Sequence, residues 1–138
     1  MNKYELNVSI PIQIEVKKLA YLRKERRTYE ADYAIGKIWS AIPKVLASLE
    51  WTIKEIDDQK RHAKAKTKAS FMSYSSVLTI DAAVVDEKTS RVTVNAETPV
   101  TTITSIADFG RTHHRIEAFF ETLAKQLSKY EAGNTRKA

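Results

Sequence analysis

Between Ala34 and Leu49 the apolar residues Ile35, Ile38, Trp39, Ile42, Val45, Leu46 and Leu49 recur at steps of three and four, the spacing of one helix face. In the segment 61–71 the step drops to two. Ala63, Ala65, Thr67 and Ala69 share one face, and His62, Lys64, Lys66 and Lys68 share the other. Farther on, Leu78, Ile80, Ala82 and Val84 point inward against Thr79 and Asp81, and Val92, Val94 and Ala96 follow the same rule. Past residue 110 the helical step returns, with Ile116, Phe119, Phe120, Leu123, Leu127 and Tyr130 on one stripe. The two periods cannot share an element. The chain therefore reads as a helix, an antiparallel meander with one wet face, and a second helix. One helix stripe cannot hide its apolar side alone, so both helices, about 34–49 and 110–130, are expected on one face of the sheet in an α+β fold.

Local signals refine the boundaries. TYEADY (28–33) reads as a short strand leading into the first helix, with Asp32 as its N-cap. Pro43 lies inside that helix, where it removes a hydrogen bond and clashes one turn back, which predicts a kink near Trp39 or two short helices. WTIKEIDD (51–58) is a strand ending in a turn at Asp57 and Asp58, and DEKTS (86–90) joins two strands of the meander. Gly133 and Asn134 are expected to stop the last helix.

At the N-terminus, YELNVSIPIQIEV alternates without a break from Tyr4 to Val16. That predicts a strand longer than usual. Pro11 has no N–H to donate, so the strand is an edge there or is bulged. A long edge with one apolar face invites pairing. Residues 4–16 are thus expected to join the sheet and to contribute to a homodimer. KKLAYLRKERR (17–27) breaks the alternation and reads as a short helix or a turn. The organisation expected is an N-terminal strand and basic segment (1–27), an α+β core domain (28–131) and a flexible tail (132–138).

With 138 residues, 43% of them hydrophobic and 29% charged, the chain can bury a single core without staples. It contains no Cys, which excludes disulfides, thiolate metal sites and a Cys nucleophile. No apolar run is long enough for a transmembrane helix, and the N-terminal alternation cannot form a signal-peptide core. The expected location is cytoplasmic.

Catalytic signatures are missing: no His-Glu-x-x-His, no Gly-x-Ser-x-Gly and no phosphate-cradling Gly loop. His113 and His114 are sequence neighbours about 100° apart around a helix, poorly placed to grip one metal. His113 shares a face with Ile116, Phe120 and Leu123, while His114 faces solvent. The expectation is no enzyme, no metal and no cofactor.

The strand-then-helix TYEADYAIGKIWSAI and the closing helix DFGRTHHRIEAFFETLAKQL resemble the helix-grip arrangement of the START and Bet v 1-like superfamily. A second likeness, through IWSAIPKVLASLEW and the strand HAKAKTKAS, is to small bacterial domains of the BamC and DUF3568 type. Either covers roughly residues 28–130. The helix-grip resemblance implies a carrier of a small apolar ligand, its pocket lined by Trp39, Leu78, Ile80, Val94, His113, Ile116 and Phe120.

The net charge of +6 concerns partners rather than fold. Two segments, 17–27 and 60–68, hold eleven of the 23 Lys and Arg. The preferred expectation is a non-enzymatic binding module whose basic surface meets an anionic partner, nucleic acid or acidic protein. The surface would comprise Lys60, Arg61, His62, Lys64, Lys66, Lys68 and Arg91, with a secondary patch of Lys17, Lys18, Arg23, Lys24, Arg26 and Arg27. The alternatives are the ligand carrier and a structural subunit of an oligomer.

Overall fold

A computed structural model describes residues 21–69, 74–100 and 110–137, with side chains for 22–69, 74–100 and 110–129. The expectations for residues 4–16, Lys17, Lys18 and the Tyr130 side chain fall outside these. The elements are β1 (Tyr21–Ala31), α1 (Ile35–Ser48), β2 (Thr52–Asp57), β3 (His62–Lys66), β4 (Val77–Asp86), β5 (Thr89–Val100) and α2 (Arg111–Lys137). The five strands form one antiparallel sheet in the order β1-β5-β4-β3-β2.

The alternation decides which face is dry. Ala63, Ala65, Leu78, Ile80, Val92, Val94 and Ala96 are fully buried beneath the helices. α1 adds Ile38, Ala41, Ile42, Val45 and Leu46, and α2 adds Ile116, Phe119, Leu123 and Leu127, all in one core. Both helices thus cover the same sheet face.

Pro43 neither breaks nor splits α1. A helix-interior Pro costs about 3 kcal/mol. Burying each of Ile38, Ile42, Val45 and Leu46 contributes about 1.5–3 kcal/mol, so packing outweighs the lost bond. The N-cap is Ala34, extended at φ −63° and ψ 152°, with no side-chain cap; Asp32 does not serve. At the other end Glu50 N–H donates to Ala47 O and Trp51 N–H to Leu46 O, both at 3.0 Å. This is a Schellman ending, and Glu50 occupies its left-handed position at φ 60°.

Other expectations are corrected. Residues 21–27 are neither helix nor turn: β1 pairs continuously with β5 from Tyr21↔Val100 to Ala31↔Ser90, so the boundary placed at 27–28 lies inside a strand. Val84 is 55% exposed, although it stands opposite the buried Ser90 beside a register shift in β4. α2 continues through Gly133 and Asn134 to Lys137. One helical Gly costs only about 1 kcal/mol relative to Ala, too little to end a helix by itself.

Candidate functional site

β1 departs from the rule that a covered sheet face is apolar. Its register places Arg23 opposite Thr98, Glu25 opposite Ala96, Arg27 opposite Val94 and Tyr29 opposite Val92. Directly paired residues share a face, and those four β5 residues are buried. Arg23, Glu25, Arg27 and Tyr29 therefore lie on the helix side of β1, the last strand at this end of the described sheet.

α2 answers with His113, Glu117 and Phe120, spaced by four and three residues on the flank next to its buried stripe. His113 Nδ1 is 3.4 Å from Glu25, and its Nε2 is 3.4 Å from Glu117. Glu117 also faces Arg27 at 3.9 Å. Farther along, the Arg27 guanidinium lies 5.8 Å from the Phe120 ring centre, and Tyr29 packs on Phe120 at 5.7 Å. Phe119, the neighbour of Phe120, turns wholly into the core. The result is a seam of ions grading into aromatics. It is only half closed: Glu25 is 32% exposed and His113 44%.

Beyond the seam, near the start of α2, the interior is polar. Thr67, Ser76, Thr98 and Thr112 are all buried. Ser76 and Thr98 share a short hydroxyl contact, and Thr98 bonds Thr112 at 2.9 Å. Ser76 N–H donates to Thr67 Oγ1, and Arg115 donates to the Ser76 hydroxyl and to Tyr74 O. Among the described residues no group of three or more His, Asp or Glu is arranged to hold a metal.

The residues expected to line an apolar pocket separate into two groups. Leu78, Ile80, Val94 and Ile116 are wholly buried in the core. Trp39, His113 and Phe120 are partly exposed. Trp39 donates its Nε1–H to Asp58 at 2.9 Å, tying α1 to the β2–β3 turn. Only His113 and Phe120 belong to the seam. Glu25, Tyr29 and Glu117 escaped the sequence reading and Arg27 entered it only as part of a basic patch, because charge on alternate positions of β1 imitates a solvated segment.

The expected cationic surface is interleaved with acids. His62 bonds Asp81 at 2.7 Å and lies 3.6 Å from Glu55; Arg91 pairs with Glu30 at 2.8 Å. Lys64 stands opposite Glu55, and Lys68 bonds Glu50 at 2.6 Å. That bond, with the Lys68 charge, holds the Glu50 carboxyl below its usual pKa. Lys66 lies exposed in the same row, while Lys60 and Arg61 sit in the β2–β3 turn, Arg61 at φ 52°. In the secondary patch, Lys24 meets Glu97 at 4.0 Å and Arg26 stands opposite Asn95, whereas Arg23 and Arg27 lie on the helix side. Lys24, Arg26, Asn95 and Glu97 border a shallow depression of about 210 Å³. No helix among the described residues is long and apolar enough to cross a membrane.

No family model and no curated protein matches the chain. Solved structures do. A norcoclaurine synthase from Thalictrum flavum superposes with a TM-score of 0.60 at 11% identity, over 81% of this chain and 98% of that one. Ara h 8.0201 gives 0.56 at 10% identity, over 78% and 99%. The Zhui aromatase/cyclase from Streptomyces sp. R1128 gives 0.51 at 12%, over 85% and 95%. At such identities the likeness is one of fold. The chain has the helix-grip fold of Bet v 1-like and START-like proteins, as its closing helix and meander led one to expect.

Proposed function

We propose that this protein binds a small amphipathic ligand at the seam between α2 and β1, and that it does so as a carrier rather than as an enzyme. The observation that carries the reading is the helix-side face of β1. A strand that only closed a core would present apolar residues there, as β3, β4 and β5 do. Instead Glu25 and Arg27 lie beside Tyr29, against a helix flank that repeats the order His113, Glu117, Phe120. Ligand sites combine an apolar body with a few placed polar groups. Tyr29 and Phe120 supply the first, and Glu25, His113 and Arg27 the second. The helix-grip neighbours support the location, since their fold sets a long helix across a sheet. The anionic-partner reading draws less support, because the lysine row is matched by Glu50, Glu55 and Asp81.

The test is native mass spectrometry of protein purified from cells, together with titration of the fluorescent amphipathic dye anilinonaphthalene sulfonate. A retained small molecule, or saturable dye binding weakened roughly tenfold by Tyr29→Ala, supports the proposal; tenfold corresponds to about 1.4 kcal/mol, an ordinary loss of apolar contact. No retained mass and no saturable binding overturns it.

A further inference from the structure

The outer edge of β2 carries a self-complementary sequence. β2 reads Thr52-Ile53-Lys54-Glu55-Ile56-Asp57, and it is the last strand of the described sheet, hydrogen-bonded to β3 on one side. Its first five residues are exposed, including Ile53 and Ile56 at 42% each. Two half-bare Ile side chains on an edge strand are what a soluble monomer normally avoids.

The pairing with β3 explains how both reach the same face. Ile53 stands opposite Ala65 and Ile56 opposite Ala63, with a bulge between Ile53 and Glu55. In a regular strand, residues three apart point to opposite faces. The extra residue, Lys54, restores the match and puts both Ile on the helix side. Bulges usually protect an edge by twisting it away. Here the bulge makes the segment symmetric about its own centre.

We infer that β2 pairs antiparallel with β2 of a second copy, about a two-fold axis passing between Lys54 and Glu55. In that register Ile53 opposes Ile56 of the partner copy, Lys54 opposes its Glu55, and Thr52 opposes its Asp57. Each relation occurs twice, as an isologous interface requires. Charge complementarity selects the occupant. Lys54 makes no ion pair among the described residues, and its nearest available acid across the axis is the Glu55 of a twin strand. A peptide without this acid–base order would leave Lys54 unmatched, whereas Glu55 also has His62 and Lys64 beside it in its own chain. Six residues form a small interface, so the dimer is weak and forms at high concentration. It is independent of the ligand seam, which lies on β1 at the opposite end of the sheet order.

Sedimentation velocity of the full chain up to about 500 µM, a range suited to small interfaces, tests this. The expected result is a concentration-dependent monomer–dimer equilibrium. Lys54→Glu or Glu55→Lys alone places like charges opposite each other twice, and should raise the dissociation constant roughly tenfold or more. The double exchange Lys54→Glu with Glu55→Lys restores the opposite-charge pairs and should recover dimerisation. Both substitutions lie on exposed positions, and unchanged circular dichroism of the three variants confirms folding. A monomer throughout the range overturns the inference, as does a dimer indifferent to the single reversals or not recovered by the exchange.

Discussion

Glu25 on β1 and His113 on α2 meet at 3.4 Å, and the same imidazole reaches Glu117 with its other nitrogen at an equal distance. The contact joins β1 to the long helix where neither is fully covered. Half-exposed ion pairs add little stability, at most about 1 kcal/mol. Glu25→Gln and His113→Ala are therefore expected to melt within a few degrees of the parent. If the seam holds a ligand, the same substitutions should change dye affinity several-fold. Parent-like titrations for both would remove these two residues from the site.

Phe119 and Phe120 are adjacent in sequence but differ in consequence. Phe119 is fully buried, while Phe120 lies on the flank against Tyr29. Phe119→Ala should cost about 3–5 kcal/mol, the range for a large side chain removed from a packed core. Phe120→Ala should cost roughly half that and bear mainly on the seam. Urea denaturation of the two variants measures both. Equal losses would mean that Phe120 is as much core as Phe119.

The sequence disclosed this fold through period, and its blind spots follow from the same rule. α1 and α2 were legible because Ile38, Ile42, Val45 and Ile116, Phe119, Leu123 keep a helical step. The meander was legible because Ala63, Leu78 and Val92 begin runs of strict alternation. β1 was legible only from Thr28 onward, since Arg23, Glu25 and Arg27 put charge on the covered face while Lys24 and Arg26 put charge on the other. Without an apolar face, no period of two is visible. The seam was hidden by the same residues: His113 and Phe120 were flagged for an apolar pocket and Arg27 for a basic patch, and nothing in the sequence brought them together. Pro43 misled in the opposite sense: its local penalty was plain in the sequence, but the burial that offsets it is tertiary.

Glu50 holds a left-handed backbone, φ 60°, at the position of the α1 ending where Gly is normally found. Its carboxylate bonds Lys68, and this partner lowers its pKa. A carboxyl with a depressed folded-state pKa adds stability above its unfolded pKa and loses it as pH falls through the lower, folded value. Two effects are thus separable. In a Lys68→Ala background, where the ion pair is already gone, Glu50→Gly should raise the melting temperature by about 2 °C through relieved backbone strain. Lys68→Ala should lower it slightly at neutral pH and leave it unchanged under acid conditions, where Glu50 is already protonated. A pH-independent Lys68→Ala effect would show that the ion pair is not its source.

Thr98 sits wholly buried between two other hydroxyls, Ser76 and Thr112, at the polar end of the interior. Shape and strand propensity both favour Thr98→Val, which keeps the volume and the branched β-carbon. Hydrogen bonding opposes it. Without the central hydroxyl, Thr112 and Ser76 each lose a hydrogen bond, worth about 0.5–1.5 kcal/mol apiece, while Ser76 keeps the one that Arg115 donates. Thr98→Ser keeps the hydroxyl and loses one methyl group, worth about 1 kcal/mol. Val should therefore be the more damaging change, although it is the closer isostere. Pairing Thr98→Val with Thr112→Val removes both ends of one hydrogen bond, so the double variant should lose less than the sum of the singles by about 0.5–3 kcal/mol. Denaturant midpoints for the four proteins measure the cycle. A Thr98→Val variant as stable as the parent, with simple additivity, would mean that these hydroxyls contribute nothing as a network.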